Sequence, residues 1–243
     1  MSVPFTKRCL CRAWLISALL LIAISTPRVA SADCVVLLHG LARTSGAMKK
    51  LIAPFENEGH QVVNVGYPSR EKTVEQLAPL AVKDLGYSKC NPASNIHFVT
   101  HSMGGILVRY YLEHNKIARL GRVVMLAPPN QGSEVVDKLR DVPGFKILNG
   151  SAGLQLGTDA ESIPVKLGSV EFDLGVIAGT RTFNLLLSQL LPNPDDGKVS
   201  VASTRVAGMA DHITLPVTHT FMMRSKSVIE QAVYFVKHGQ FKK

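Results

Sequence analysis

Apolar positions along the chain alternate between two rhythms. Cys34-Val-Val-Leu-Leu-His39 is a continuous apolar run closed by Gly40, the pattern of a strand buried on both faces. From Ala47 to Glu58 the apolar residues Met48, Leu51, Ile52 and Phe55 recur at helical spacing, and Gly59 stops them. A second strand is predicted over Gln61 to Val65, closed by Gly66-Tyr67-Pro68, and a helix over Thr73 to Leu85 with Thr73 as its cap. Ile96 to Thr100 reads as a third strand that runs directly into a helix from Met103 to Asn115. Further strands are predicted at Val123 to Ala127, Leu174 to Ala178 and His212 to Val217, with a last helix from Ser225 to Lys237. Strands alternating with helices predict an α/β fold with a doubly wound, mainly parallel sheet. Asn130 to Asp173 is the least regular stretch, with one helix-like segment from Ser133 to Leu139. Such sheets bind ligands beyond the carboxyl ends of their strands, so this excursion is expected near any site.

Composition narrows the picture. With 243 residues, 46% of them apolar and 19% charged, the chain has material for one sizeable core. Four Cys are too few for a disulfide scaffold, and 13 Pro with 19 Gly exclude a coiled coil. Residues 1–32 read differently from the rest. Lys7, Arg8 and Arg12 precede the apolar run Ala13 to Ile24, and Ala30-Ser31-Ala32 forms a small-x-small site before Asp33. This is the three-part pattern of a secretory signal peptide, leaving residues 33–243 as one exported domain, periplasmic or secreted. The alternative is an uncleaved anchor, but a run of 12 residues is short for ~30 Å of hydrocarbon.

The leader also explains much of the charge. The whole chain carries +9; four of its 27 basic residues (Lys7, Arg8, Arg12, Arg28) and none of its 18 acidic ones precede Asp33, which leaves +5. No basic block with interleaved aromatics occurs, so no nucleic-acid partner is expected, while a weak attraction to anionic membrane surfaces is compatible with the charge. Cys9 and Cys11 leave with the leader, and Cys34 and Cys90 remain available for one disulfide in an oxidising compartment. No metal-ligand spacing, phosphate loop or dinucleotide fingerprint occurs, so no cofactor or metal is expected. Nothing in the sequence indicates an oligomeric state.

Candidate chemistry concentrates at Thr100-His101-Ser102-Met103-Gly104-Gly105. A strand turning into a helix without a linker forces the residue at the turn into a strained conformation and exposes its side chain. The following helix start directs free N–H groups at that position. This segment resembles the Gly-x-Ser-x-Gly nucleophile elbow of the α/β-hydrolase superfamily, in the style of small bacterial lipases and esterases. Thr100 departs from the pattern, since it stands in the first glycine position.

The resemblance implies a minimal α/β-hydrolase fold of about six strands with helices on both faces, no large lid and no opening antiparallel strands. It implies Ser102 as nucleophile. Val35-Val-Leu-Leu-His39-Gly40-Leu41 resembles the oxyanion strand, which assigns the backbone N–H groups of Leu41 and Met103 to an oxyanion hole and a supporting role to His39. Asp195-Asp196-Gly197-Lys198-Val199 resembles the acidic loop, where Asp196 fits the register and Asp195 is the alternative. The superfamily's order of serine, acid, histidine leaves His212 and His219 as bases. Pro216 to Met223 resembles the end-of-strand histidine segment and favours His219, with Asp211-His212 as a structural pair. The superfamily's topology also puts Cys34 and Cys90 at the amino ends of neighbouring strands, where they can pair.

The implied activity is hydrolysis of carboxylic esters through an acyl-enzyme, as esterase or lipase; the alternative is an acyltransferase passing the acyl group to an alcohol or a cell-envelope lipid. An acyl pocket is expected from Leu41 to Met48 and Pro129 to Asp173, with Leu154, Leu156, Ile163 and Leu167 available. Those stretches suit an ester or lipid substrate.

Overall fold

The first apolar run divides its side chains between two cores, as a strand buried on both faces must. In the computed structural model it forms β1 (Cys34–Leu38), every residue of which is buried. Val36 and Leu38 join one hydrophobic cluster; Val35 and Leu37 join the other. The structure describes Met1, Ser2 and residues 32–243; the predicted leader otherwise lies outside the described residues.

Six strands make one sheet: β1, β2 (Gln61–Val65), β3 (Ile96–His101), β4 (Leu120–Leu126), β5 (Leu174–Gly179) and β6 (Asp211–Leu215). Their order is β2-β1-β3-β4-β5-β6 and every neighbouring pair is parallel. Across one face lie α2 (Val74–Ala78) and α3 (Met103–His114), whose Leu77, Ile106 and Leu107 are buried against Val36, Phe98 and Met125. The other face is covered by a 3-10 turn (Ser45–Leu51), α1 (Ile52–Asn57) and α8 (Lys226–His238), which bury Met48, Phe55, Val228 and Phe235 against Val35, Val99 and Ile177.

Prolines account for two differences from the predicted helices. A proline is tolerated only near a helix start, because its ring and missing N–H break the ladder behind it. Pro54 accordingly falls in the first turn of α1, and the segment before it is 3-10. Pro79 ends α2, and Pro79–Asp84 continues as a wider π turn.

The excursion after β4 is more ordered than its sequence suggests. It holds α4 (Glu134–Leu139), α5 (Phe145–Leu154) and α6 (Ile163–Lys166). Gly150, at φ 66°, breaks α5 where the chain crosses Arg70; a Cβ there would lie 1.9 Å from the Arg70 carbonyl oxygen, so the local rhythm is lost. Buried Arg109 of α3 ties both ends of the excursion, donating to the Asn130 carbonyl at 2.9 Å and the Gly168 carbonyl at 2.7 Å. Burial lowers its guanidinium to about 10. Between β5 and β6 a short α7 (Leu185–Ser188) also forms, capped by Asn184 Oδ1, which accepts the Leu187 N–H at 3.1 Å. Among the described residues no large lid covers the sheet, and no helix is long and apolar enough to cross a membrane.

At the amino edge of the sheet Cys34 and Cys90 form a disulfide across 56 residues. Asp33 accepts from the Asn95 side chain at 2.9 Å and meets His97 Nε2 at 3.4 Å beside it.

Candidate active site

Ser102 sits between β3 and α3 with φ 54° and ψ −125°, a conformation that L side chains resist at roughly 1–3 kcal/mol. The turn is held from three sides. Ser102 N–H donates to the Leu126 carbonyl of β4 at 2.8 Å. Gly104 lets α3 start against β1, since a Cβ there would lie 2.8 Å from the Leu38 and His39 carbonyl oxygens. Gly40 lets the β1 loop approach, since its Cβ would lie 3.0 Å from Ser102 Cβ. Thr100, the departure from the glycine pattern, is fully buried. It fits because the next helical turn offers Gly105, whose Cβ would meet Thr100 Oγ1 at 3.2 Å.

Asp196 and His219 arrive from the loops after β5 and β6. His219 Nδ1 donates to Asp196 Oδ2 at 2.8 Å, and the backbones repeat the pairing, His219 N–H to Asp196 carbonyl at 3.0 Å. Asp196 Oδ1 accepts the N–H groups of Lys198 (3.0 Å) and Val199 (2.9 Å), so the carboxylate is fixed on both oxygens. Both side chains are nearly inaccessible, at 0% and 6% exposure for Asp196 and His219. Asp195 faces elsewhere: its oxygens accept from Ser188 Oγ at 2.6 Å and Gly197 N–H at 2.7 Å, which closes its own loop.

Ser102 and His219 line one cavity of about 300 Å³, with Leu41, Val136, Leu139, Phe145 and Leu156 among its apolar walls. Ser102 makes no side-chain hydrogen bond among the described residues. Beneath the loop after β1, the His39 ring stacks on Tyr67 with centroids 4.0 Å apart, accepts the Tyr67 N–H at Nε2 and donates from Nδ1 to the Gly40 carbonyl at 2.8 Å. Burial lowers the His39 pKa, outweighing these bonds, so the ring braces the loop as a neutral group. Ser69 Oγ takes the Ala42 N–H at 3.1 Å, while the Leu41 and Met103 N–H groups have no acceptor among the described residues.

No family profile matches the chain, and no curated protein sequence does. Solved structures are similar. The mature lipase BlEst2 of Bacillus licheniformis superimposes with a TM-score of 0.62 at 18% identity, over 82% of this chain and 89% of that one. The phospholipase PlaB of Legionella pneumophila gives 0.66 at 21% identity, over 88% of this chain and 60% of that one. The metagenomic carboxyl esterase MGS0156 gives 0.62 at 18% identity, over 79% and 65%. This is the α/β-hydrolase fold.

Within that α/β-hydrolase fold, sequence expectation and structure diverge mostly in the cavity. Leu156 lines it, as do Leu41, Ala42 and Arg43, but Leu154, Ile163 and Leu167 do not. Ile163 and Leu167 turn instead into the core beside α3 and anchor the excursion there. Leu187, Lys198 and Val199 were not expected in the wall; they enter it because α7 and the Asp196 loop fold over the same edge. His212 lies away from this site, with Nε2 against Thr204 Oγ1 at 2.9 Å. Asp211 Oδ1 accepts the His212 backbone N–H at 2.8 Å, so the pair meets through the main chain and not through the ring.

His101 precedes Ser102 and so falls outside the chain order of the base, yet it touches the site. Its Nε2 donates to the His219 carbonyl at 3.0 Å and its ring lies 4.7 Å from the His219 ring. Burial, then the neighbouring His219, hold its pKa well below the ordinary value. A neutral ring therefore backs His219 and adds no competing charge. Its position directly before Ser102 was the available sequence signal.

Proposed function

We propose that the protein is an exported serine hydrolase that cleaves carboxylic esters, with Ser102, His219 and Asp196 as its catalytic triad. The observation that carries this reading is the buried Asp196–His219 pair facing the cavity at whose wall the strained Ser102 stands. Neutral His219 takes the Ser102 proton as Oγ attacks the ester carbonyl; Asp196 holds the ring in the tautomer with Nδ1–H and stabilises the imidazolium. The free N–H groups of Leu41 and Met103 are the donors for the oxyanion, and each such donor is worth about 3–4 kcal/mol of barrier. Collapse of the tetrahedral intermediate expels the alcohol, and water then hydrolyses the acyl-enzyme by the same steps.

The apolar cavity supports an acyl chain as the group held. Ile147 and Leu148 on α5 and Leu185 and Leu186 on α7 are exposed, and their neighbours in the wall, Phe145 and Leu187, bring that apolar surface to the cavity rim. This rim supports a lipid-like ester and contact with a lipid surface. Similarity to a lipase, a phospholipase and a carboxyl esterase agrees with the reaction class. The disulfide is compatible with export from a reducing cytosol.

A chain-length series of 4-nitrophenyl esters, run beside emulsified triacylglycerol, tests the reading. Turnover that peaks at a defined acyl length and disappears in Ser102→Ala is expected. Equal turnover in that variant, with its fold intact, overturns the assignment.

A further inference from the structure

Two positive charges stand in the wall of this mostly apolar cavity. Arg43, on the loop after β1, and Lys198, on the loop that carries Asp196, both line it, and no Asp or Glu does. Neither cation has an ion-pair partner among the described residues. Asp196, the carboxylate that acts on Lys198, is committed to His219 and to two backbone N–H groups.

The two charges converge. Although much of Lys198 is open to solvent, its ammonium is held below the ordinary lysine range, first by desolvation among the surrounding loops and then by Arg43. Both cations also bear on His101, the residue beside Ser102. Like charges held together at a low-dielectric wall repel one another, and an anion placed between them relieves that repulsion.

We infer that Arg43 and Lys198 form an anion-binding subsite, so that the substrate is an amphiphilic ester bearing a negatively charged group near its scissile bond. The inference rests on the reading of this cavity as an ester site and specifies its substrate class. A phosphodiester on the alcohol side and a carboxylate on the acyl side present the same chemistry to the pair. Arg43 supplies a planar fork of donors and Lys198 a point charge, a combination that suits phosphate or carboxylate oxygens.

Binding and turnover are measured in parallel. Octyl phosphate and 1-octanol are titrated into the full chain by calorimetry at low salt. Turnover is compared for two matched pairs: mono-4-nitrophenyl glutarate against 4-nitrophenyl pentanoate, and lysophosphatidylglycerol against monoacylglycerol. Octyl phosphate is expected to bind at least about tenfold tighter than octanol, an advantage that shrinks with salt. The pair in which the anionic ester wins identifies which side of the ester carries the charge. In Arg43→Gln/Lys198→Gln the anionic-to-neutral ratio should fall by about tenfold in both binding and turnover. Arg43→Gln alone, which leaves the Asp196 loop untouched, should give part of that fall. Equal binding of octyl phosphate and octanol, or a preference that survives both substitutions in a folded variant, overturns the subsite. If octyl phosphate binds through the two cations but neither ester is cleaved, the hydrolase reading fails and the subsite stands.

Discussion

The two edges of the same sheet are built on different principles. At the amino edge the chain is tied down: the Cys34–Cys90 disulfide joins β1 to the segment before β3, and Asp33, Asn95 and His97 interlock beside it. At the carboxyl edge the chain is strained instead. All three non-glycine residues with positive φ among the described residues, Ala42, Ser102 and Ala127, follow the ends of β1, β3 and β4 there. Buried polar groups gather at this edge as well, among them His39, Thr100, His101, Asp196 and His219. Strain and buried polarity are tolerated where surrounding structure over-determines them, and here they coincide with the edge that carries the proposed site. The sheet therefore has one edge that is tied down and one that is strained.

Breaking the carboxyl edge should give the largest effect. Asp196→Asn leaves the shape of the pair but frees the His219 tautomer, and kcat is expected to fall on the order of 10⁴-fold in an ester assay. Breaking the amino edge should change stability and spare catalysis. Replacing Cys34 and Cys90 together by Ser is expected to lower unfolding free energy in urea by roughly 2–5 kcal/mol, with kcat/KM little changed. A smaller effect separates the two neighbouring carboxylates. Asp195→Asn loses charge-assisted bonds to Ser188 and Gly197, and a stability loss of roughly 1–3 kcal/mol is expected, far from the kinetic collapse of Asp196→Asn.

The mildest test uses acid. His39 and His101 at the carboxyl edge, His97 at the amino edge and His212 near the start of β6 all have lowered pKa values, burial being the first cause in each, and His212 falls to about 4. The folded chain then binds fewer protons than the unfolded chain between these values and the ordinary histidine range near 6.5. Stability contributed by the neutral rings is present above that range and is lost as pH falls through it. The thermal midpoint should therefore drop between pH 7 and pH 5, and the drop should be shallower in His212→Asn.

How legible each part was follows from how local its cause is. β1, β3 and β5 declared themselves as short apolar-rich runs because they are buried along their whole length, whereas the edge strands β2 and β6 are part-exposed and mix polar residues into the run. Segments whose form depends on contacts far along the chain were harder. α5 hides behind Gly150, which serves a crossing with Arg70. The same holds at the site. Asp196, His219 and Ser102 stand beside sequence neighbours that set their geometry, and the structure brings the first two into contact. Arg43 lies in the stretch after β1 expected to line the pocket and His101 directly precedes Ser102, whereas Lys198 meets the cavity only because the Asp196 loop folds over the same edge.

The central claim is that Ser102 is a nucleophile activated by His219. Reaction with a fluorophosphonate probe, followed by peptide mapping, tests it most directly. A single adduct on Ser102 is expected, formed far more slowly in His219→Ala; an unlabelled protein, or a label that maps elsewhere and survives Ser102→Ala, contradicts it.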